Sequence, residues 1–285
     1  MHIMEKTIQV KDYLTKSNLP ASDYVINPYI GCPHGCVYCY ACFMKRFTGH
    51  KEKWGSFVDI KLCDKPINLN KIKGKSVFLS SVTDCYNPLE ERYGVTRRIL
   101  EQLTEADCEI GISTKSGLIL RDLDLLKKCK NLKVSMSLNT LDEGFRKDMD
   151  HADAIKNRLE TLKKLHDNGI YTVLFLSPMF PMLTDYKAIL EQTRGFIDEY
   201  WFENLNLRGS YKETILSYID EKFPQFSEIY NRIYVQGKMD YWQNLAIEIE
   251  EYCKERNIKH INYFYHEELV KNKKTKEENN LLSEK

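Results

Sequence analysis

No stretch of the 285 residues approaches the run of about 18 uninterrupted apolar side chains that a membrane-spanning helix requires, and the mean hydropathy is −0.49. A helical membrane protein is excluded. Glycine and proline are sparse, at 13 and 8 residues, which excludes collagen-like and low-complexity chains. An excess of one charge is lacking too. Lys and Arg number 42 against 41 Asp and Glu, so the net charge of +1 gives the whole chain no general attraction for polyanions. The first residues, MHIMEKTIQVKDYLTK, lack the charged-then-apolar pattern of a leader, and the cysteine count of nine is odd. Both features argue against a secreted disulfide scaffold and set the expectation of a cytoplasmic protein with reduced thiols and no membrane association.

What the chain has in excess is cysteine. A domain of this length buries roughly three quarters of its unfolded surface, so no disulfide is needed to hold a core. Four of the nine fall within eleven residues (Cys32, Cys36, Cys39, Cys42), while Cys63, Cys85, Cys108, Cys129 and Cys253 are scattered.

After Gly74 the sequence alternates short β-type runs with amphipathic stretches, the pattern of βα units that build a parallel sheet. Strands are expected at 24–30, 76–80, 108–113, 132–138, 170–176 and 199–207. Helices are expected at 95–105, 121–128 and 154–167, the last with Asp153 as its N-cap and Gly169 just past its end. Six such strands predict an α/β fold, a partial (β/α)6 barrel, although a doubly wound sheet shares the alternation. A helix over 241–256 and a strand over 259–265 form a C-terminal extension. The expected division is an N-terminal extension at 1–23, a barrel at 24–240, the extension at 241–268 and a disordered tail at 269–285, which is rich in Lys and Glu.

The segment NPYIGCPHGCVYCYAC (27–42) is the most informative stretch. Short gaps and two glycines let the sulfurs of Cys32, Cys36 and Cys39 converge, and soft sulfur ligands select zinc, Cu(I) or iron–sulfur clusters. Structural zinc, with His34 or Cys42 as a fourth ligand, would normally show two separated ligand pairs, which this spacing does not. A four-cysteine electron-transfer cluster using Cys42 is a second reading. A three-cysteine [4Fe–4S] cluster with one open iron is the third.

The C-x3-C-x-Φ-C spacing, with Tyr38 at Φ, resembles the signature of radical S-adenosylmethionine (SAM) enzymes. The likeness runs from about residue 24 to 207. It extends to the spore photoproduct lyase-like branch, and to a mobile-element-associated subgroup within it, through Tyr40 after the third cysteine, SVTDCYNPLE (81–90) and STKS (113–116). The resemblance implies a partial barrel of the radical SAM type. Its [4Fe–4S] cluster, on Cys32, Cys36 and Cys39, binds SAM at the open iron, splits it to a 5′-deoxyadenosyl radical and abstracts hydrogen from a substrate. An external one-electron reductant of flavodoxin or ferredoxin type is implied as partner. Cys85 departs from the pattern, since many relatives lack a thiol there.

Active sites of β/α barrels gather where strands end, so residues just after each apolar run are expected to face the cofactor. Ser80 and Asp84 stand where the family binds the SAM amino group, and Lys115 where it would pair with the SAM carboxylate. Ser137 and Asn139 are placed to bond ribose hydroxyls, with Phe175 or Met179 flanking adenine. Each has a plain alternative: a solvated lysine, outward-facing strand polars, core apolars. Cys85 is the candidate hydrogen donor to a product radical, with Tyr86, Tyr93 and Glu90 lining the same opening. His151 reads either as a substrate contact or as an ordinary residue at a helix start.

Residues 45–75 hold nine basic side chains against three acidic ones, a local excess of six that the total conceals. With Phe47, Trp54 and Phe57 interleaved, this stretch predicts a nucleic-acid-facing surface. A peptide or small-metabolite substrate is the alternative within the same chemistry, and a non-enzymatic iron–sulfur or zinc module the alternative outside it.

Overall fold

A computed structural model describes residues 3–19 and 21–264. The strands are β1 (Met4–Gln9), β2 (Leu14–Lys16), β3 (Tyr24–Ile26), β4 (Tyr29–Ile30), β5 (Phe57–Leu62), β6 (Ser76–Leu79), β7 (Glu109–Thr114), β8 (Asn131–Ser137), β9 (Tyr171–Met179), β10 (Glu199–Asn204) and β11 (His260–Asn262). They form two sheets. The larger runs β11-β10-β9-β8-β7-β6-β3-β2, with six consecutive parallel strands from β3 to β10, antiparallel β2 at one edge and parallel β11 at the other. Among the described residues its two edge strands, β11 and β2, do not pair with each other, as in a partial barrel.

The six parallel strands coincide with the six expected from the sequence to within a few residues. Alternation sets their two faces. Leu132, Val134 and Met136 of β8 are buried, as are Leu174 and Leu176 of β9 and Phe202 of β10. The intervening Ser137, Phe175 and Trp201 are only partly buried and pair across three neighbouring strands, so they share one face. The helix Val95–Leu103 buries Val95, Ile99, Leu100 and Leu103 at 3–4 spacing; each such aliphatic group contributes about 1.5–3 kcal/mol.

Three features differ from the sequence expectation. The run expected at 24–30 is divided at Asn27-Pro28, so β3 joins the large sheet while β4 pairs antiparallel with β5 in a small sheet ordered β1-β5-β4. The strand β5 went unread because its flanking lysines made residues 45–75 look like one solvated basic stretch, yet Phe57, Val58 and Ile60 are fully buried. Strand β1 pairs in parallel with β5, which ties the N-terminal segment to the chain that follows the cysteine loop. Asp153 is not the cap of the helix Ile155–Asp167: its carboxylate accepts from Gly117 N at 2.7 Å, and Glu143 Oε2 accepts from Ile155 N at 3.0 Å in its place. The tail expected over 269–285 lies outside the described residues. Among the described residues, no helix is long and apolar enough to cross a membrane.

Candidate active site

Strand β4 ends at Gly31, whose φ of +88° and lack of a side chain are both required: a Cβ there would lie 2.2 Å from the Phe57 carbonyl oxygen. The chain then turns through Cys32, Cys36 and Cys39 into a 3-10 helix, Tyr40–Phe47. The loop is pinned to the segment after the helix Glu143–Met149 by two backbone bonds, Val37 N to Met149 O at 2.9 Å and His151 N to His34 O at 2.8 Å. The three thiols are close enough to influence one another. Burial raises all three. Asp84 and then Cys36 raise Cys32 further, and Cys36 helps raise Cys39 to about 12. Cys42 is raised by burial alone, with no effect from the other three.

Two of the sulfurs already receive N–H donors. Lys115 Nζ donates to Cys36 Sγ at 3.3 Å, and Trp54 Nε1 donates to Cys39 Sγ at 3.2 Å. Thiols held protonated by burial become ligands only when a cationic centre displaces the proton, and N–H groups on sulfur stabilise the resulting thiolates. Among the described residues, no three His, Cys, Asp or Glu side chains are close enough to share one metal ion. A cubane spreads its thiolates over separate irons and needs no such convergence. The donor set therefore fits an iron–sulfur cluster with three cysteine ligands.

A buried polar network backs this loop, with His34 Nδ1 left without a partner among the described residues. Asp84 is buried and accepts four bonds: from His34 Nε2 at 3.1 Å, Thr114 Oγ1 at 2.8 Å, Lys115 N at 2.8 Å and Tyr86 N at 2.9 Å. It thereby clamps the cysteine loop to the end of β7. Asp150, also buried, accepts from Arg158 Nη2 at 2.6 Å, Tyr38 Oη at 3.1 Å and Lys115 Nζ at 3.3 Å. Burial works against the Lys115 ammonium, but Cys36, Tyr38 and Asp150 together hold its pKa well above the usual value. Burial likewise opposes the Asp150 carboxylate, and Lys115 and Arg158 outweigh it, so this carboxyl lies well below the usual range.

The structure thus brings Tyr38, Asp84 and Lys115 together beside Cys32, Cys36 and Cys39. The other sequence candidates are less available. Ser80 has a left-handed φ of +78°, and its hydroxyl accepts from Cys85 N at 2.8 Å. Ser137 stands on the open face next to Phe175. Asn139 is buried, with its amide donating to Pro178 O at 3.1 Å. Met179 is buried in the core, which leaves Phe175 as the partly exposed member of that pair. Cys85 is fully buried among core side chains, and Thr96 Oγ1 donates to its carbonyl at 2.6 Å. Tyr86 and Glu90 are fully buried as well, the latter bound to Arg121 Nη2 at 2.7 Å, while Tyr93 donates to Glu5 at 2.9 Å. None of these three lines an opening. His151 contributes its backbone to the cysteine loop.

Across the mouth lies a group that the sequence reading missed. Tyr40, 57% exposed, donates to the Ser81 carbonyl. Its phenol is pushed up by burial of the hydroxyl and then by two neighbours, Glu203 and Cys39. Glu203, two residues beyond Trp201 on β10, accepts from Ser177 of β9. Burial raises its carboxyl and the Ser177 bond partly offsets that. A signal was present in EYWFEN, whose second glutamate falls at the C-terminal end of a barrel strand.

Comparison with known proteins agrees with this geometry. The profile of the Radical SAM superfamily matches residues 26–191. An uncharacterized protein of Methanocaldococcus jannaschii is 38% identical over 224 residues, covering 78% of this chain and 85% of the relative. A spore photoproduct lyase variant bound to dinucleoside spore photoproduct superposes with a TM-score of 0.58 at 14% identity over 78% of this chain. SuiB of Streptococcus suis, bound to precursor peptide SuiA, gives 0.54 at 16% identity over 92%. The chain spans 66% and 49% of the lengths of these two proteins, and at such identities they share its fold.

Proposed function

Because the chain belongs to the radical SAM superfamily of enzymes, we propose that Cys32, Cys36 and Cys39 ligate a [4Fe–4S] cluster that binds SAM at its open iron. The observation that carries this reading is the pair of N–H donors, Lys115 Nζ on Cys36 and Trp54 Nε1 on Cys39, aimed at two of the three closely spaced sulfurs. Bound there, the cluster, reduced by one electron from an external flavodoxin- or ferredoxin-type carrier, would pass that electron to the sulfonium of SAM, whose S–C5′ bond would break to give methionine and a 5′-deoxyadenosyl radical able to abstract hydrogen.

The protein's own residues orient and shield. Lys115 presents a cation beside Cys36, where it attracts the carboxylate of SAM. Tyr38 packs edge-on to Phe180 at 5.6 Å and walls the loop from solvent. Asp84 acts as a positioning residue, because all four of its bonds go to protein groups. Ser80 and Ser137 are offered for polar contacts to SAM, and Asn139 supports them by holding the loop at Pro178. Cys85 reaches a substrate radical only if the segment over it opens, so its burial favours a packing role. Residues 24–240 form the proposed catalytic unit.

For the substrate we favour nucleic acid over a peptide or small metabolite. Phe57 is fully buried against His50 with ring centroids 4.0 Å apart, so it cannot stack on a base. Phe47 is 67% exposed and Phe43 41%, and the Arg46 guanidinium lies over both rings at 4.7 and 5.5 Å. Exposed aromatics interleaved with cations bind single strands by stacking and charge.

Anaerobic reconstitution with iron and sulfide, followed by dithionite and SAM, tests the class. Formation of 5′-deoxyadenosine is the expected result, and iron-loaded protein that yields none would end the radical reading. Anisotropy of a labelled single-stranded oligonucleotide tests the substrate class. Replacing Arg46 by Ala should lower affinity by about 1 kcal/mol and reduce the salt slope by about one; affinity indifferent to salt and to Arg46 points to the peptide or metabolite.

A further inference from the structure

We infer that Glu203 and Ser177 form a subsite for a positively charged nitrogen, an alkylammonium group carried by the substrate, on the side of the barrel mouth opposite the cysteine loop. This rests on the radical SAM reading only in assigning the amine to the substrate, which on the nucleic-acid reading is a strand bearing an aliphatic amine substituent.

Four observations support it. Glu203 sits near the C-terminal end of β10, where barrel residues meet ligands, and its neighbour Ser177 lies near the end of β9. The carboxyl accepts from Ser177, yet among the described residues no Lys, Arg or His forms an ion pair with it. Asp150 and Asp84, the buried carboxylates described above, each have a cation or an imidazole, Arg158 and Lys115 for the first and His34 for the second, whereas the half-buried Glu203 has neither among the described residues. Aromatic rings stand close by: Trp201, two residues before Glu203 on β10, packs edge-on against Tyr263 at 5.7 Å and Phe175 at 5.6 Å.

The physical reason is complementarity. A carboxylate removed from water without a counter-charge is costly, and a neutral donor such as an alcohol leaves that charge uncompensated. A cation from the ligand supplies it, and aromatic faces around the carboxylate favour the cation further. The site has the same logic as the Asp150 site, with the cation arriving from outside the chain.

The test uses ligand-observed saturation-transfer NMR on anaerobically reconstituted protein, with n-butylammonium as probe and n-butanol as its neutral counterpart. Saturable binding of butylammonium and none of butanol is expected, with affinity weakened at least about tenfold by Glu203→Gln, the size of a hydrogen bond to a charged group. The iron content of the Glu203→Gln protein reports that it is folded. Should that variant not load iron, Ser177→Ala takes its place, with a smaller loss expected. Equal binding to wild-type and Glu203→Gln protein, or equal binding of butanol, would overturn the inference. Loss of amine binding on addition of saturating SAM would also overturn it, by assigning Glu203 to the cofactor. Protein that binds butylammonium but makes no 5′-deoxyadenosine would leave this inference standing and remove only the radical reading.

Discussion

The two sides of the barrel mouth are built by opposite rules. On the cysteine side the buried charged groups have internal partners: Asp84 accepts four bonds, Asp150 neutralises Arg158 and Lys115, and two of three thiols have N–H donors. On the β9–β10 side the Glu203 carboxyl has a serine and, among the described residues, no cation. A densely bonded network of paired charges holds one geometry and tolerates little change. An incompletely compensated one is stable enough to fold and leaves binding energy to a ligand. The difference teaches that the cysteine side is preorganised for a fixed cofactor, while the opposite side is where substrate identity is read.

The comparison breaks most completely at the ligands. Cys36→Ala should abolish iron binding and 5′-deoxyadenosine formation together, whereas Cys42→Ala should retain both, because Cys42 stands apart from the coupled trio. Iron and sulfide content with product chromatography decides it, and a reversed outcome would move the third or fourth ligand to Cys42.

The next largest effect falls on the network behind the loop. Asp150→Ala leaves Arg158 and Lys115 buried without their shared counter-charge, a loss of about 3–5 kcal/mol read by urea unfolding. The sign with pH follows from the depressed carboxyl. Its stabilisation is complete above the ordinary aspartate range and is lost as pH falls through the lowered folded-state pKa. The variant should therefore lack the acid-side decline that this group gives the wild type. A variant within about 0.5 kcal/mol of wild type, the range of an ordinary surface change, would show that the two sides are not so different.

Smaller again is the effect of a single donor. Trp54→Phe keeps the ring and removes the N–H that meets Cys39, so the cluster should be retained with affinity weakened about 10- to 100-fold, as measured by iron release to a chelator. Unchanged release would mean that the contact orients the ring and does nothing for the sulfur.

How much of this was legible beforehand follows the same division. The cysteine side was visible because its chemistry is local: Cys32, Cys36, Cys39 and Tyr38 lie in one short motif, and Lys115 follows an evident strand. The parallel strands were legible because apolar runs bounded by helical periodicity leave few alternatives. What escaped depended on distant pairings. Asp150 reads as an ordinary acid until Arg158 and Lys115 converge on it, and Asp84 reads as a cofactor ligand until its four internal bonds are counted. Cys85 looked available because it follows a strand, but the backbone turns at Ser80 and carries it into the core. Glu203 has only a positional signal, its place at the end of a barrel strand. Its significance lies in the absence of a partner, which only the assembled sheet reveals. Strand β5 was hidden by charge, since Lys61 contributes its cation to a basic stretch while its neighbours Ile60 and Val58 are buried.

The smallest effect separates the cysteine side from its own periphery. His50 stacks on Phe57 and bridges Asp59 at 2.8 Å and Glu52 at 3.1 Å, one shell beyond the loop. Burial lowers the imidazole pKa, but the bond to Asp59 and then that to Glu52 outweigh it, and the net shift is upward. A group whose folded-state pKa is raised stabilises fully below its ordinary value near 6.5 and loses that contribution as pH rises through the folded-state value. His50→Gln should thus cost about 1 kcal/mol in slightly acidic solution, the worth of one such bond, and progressively less as the solution becomes alkaline. Urea unfolding at a series of pH values reads it. A variant whose deficit grows with rising pH would show that His50 acts as a neutral acceptor, and the rule that buried charged groups on this side are internally paired would then end at the cysteine loop.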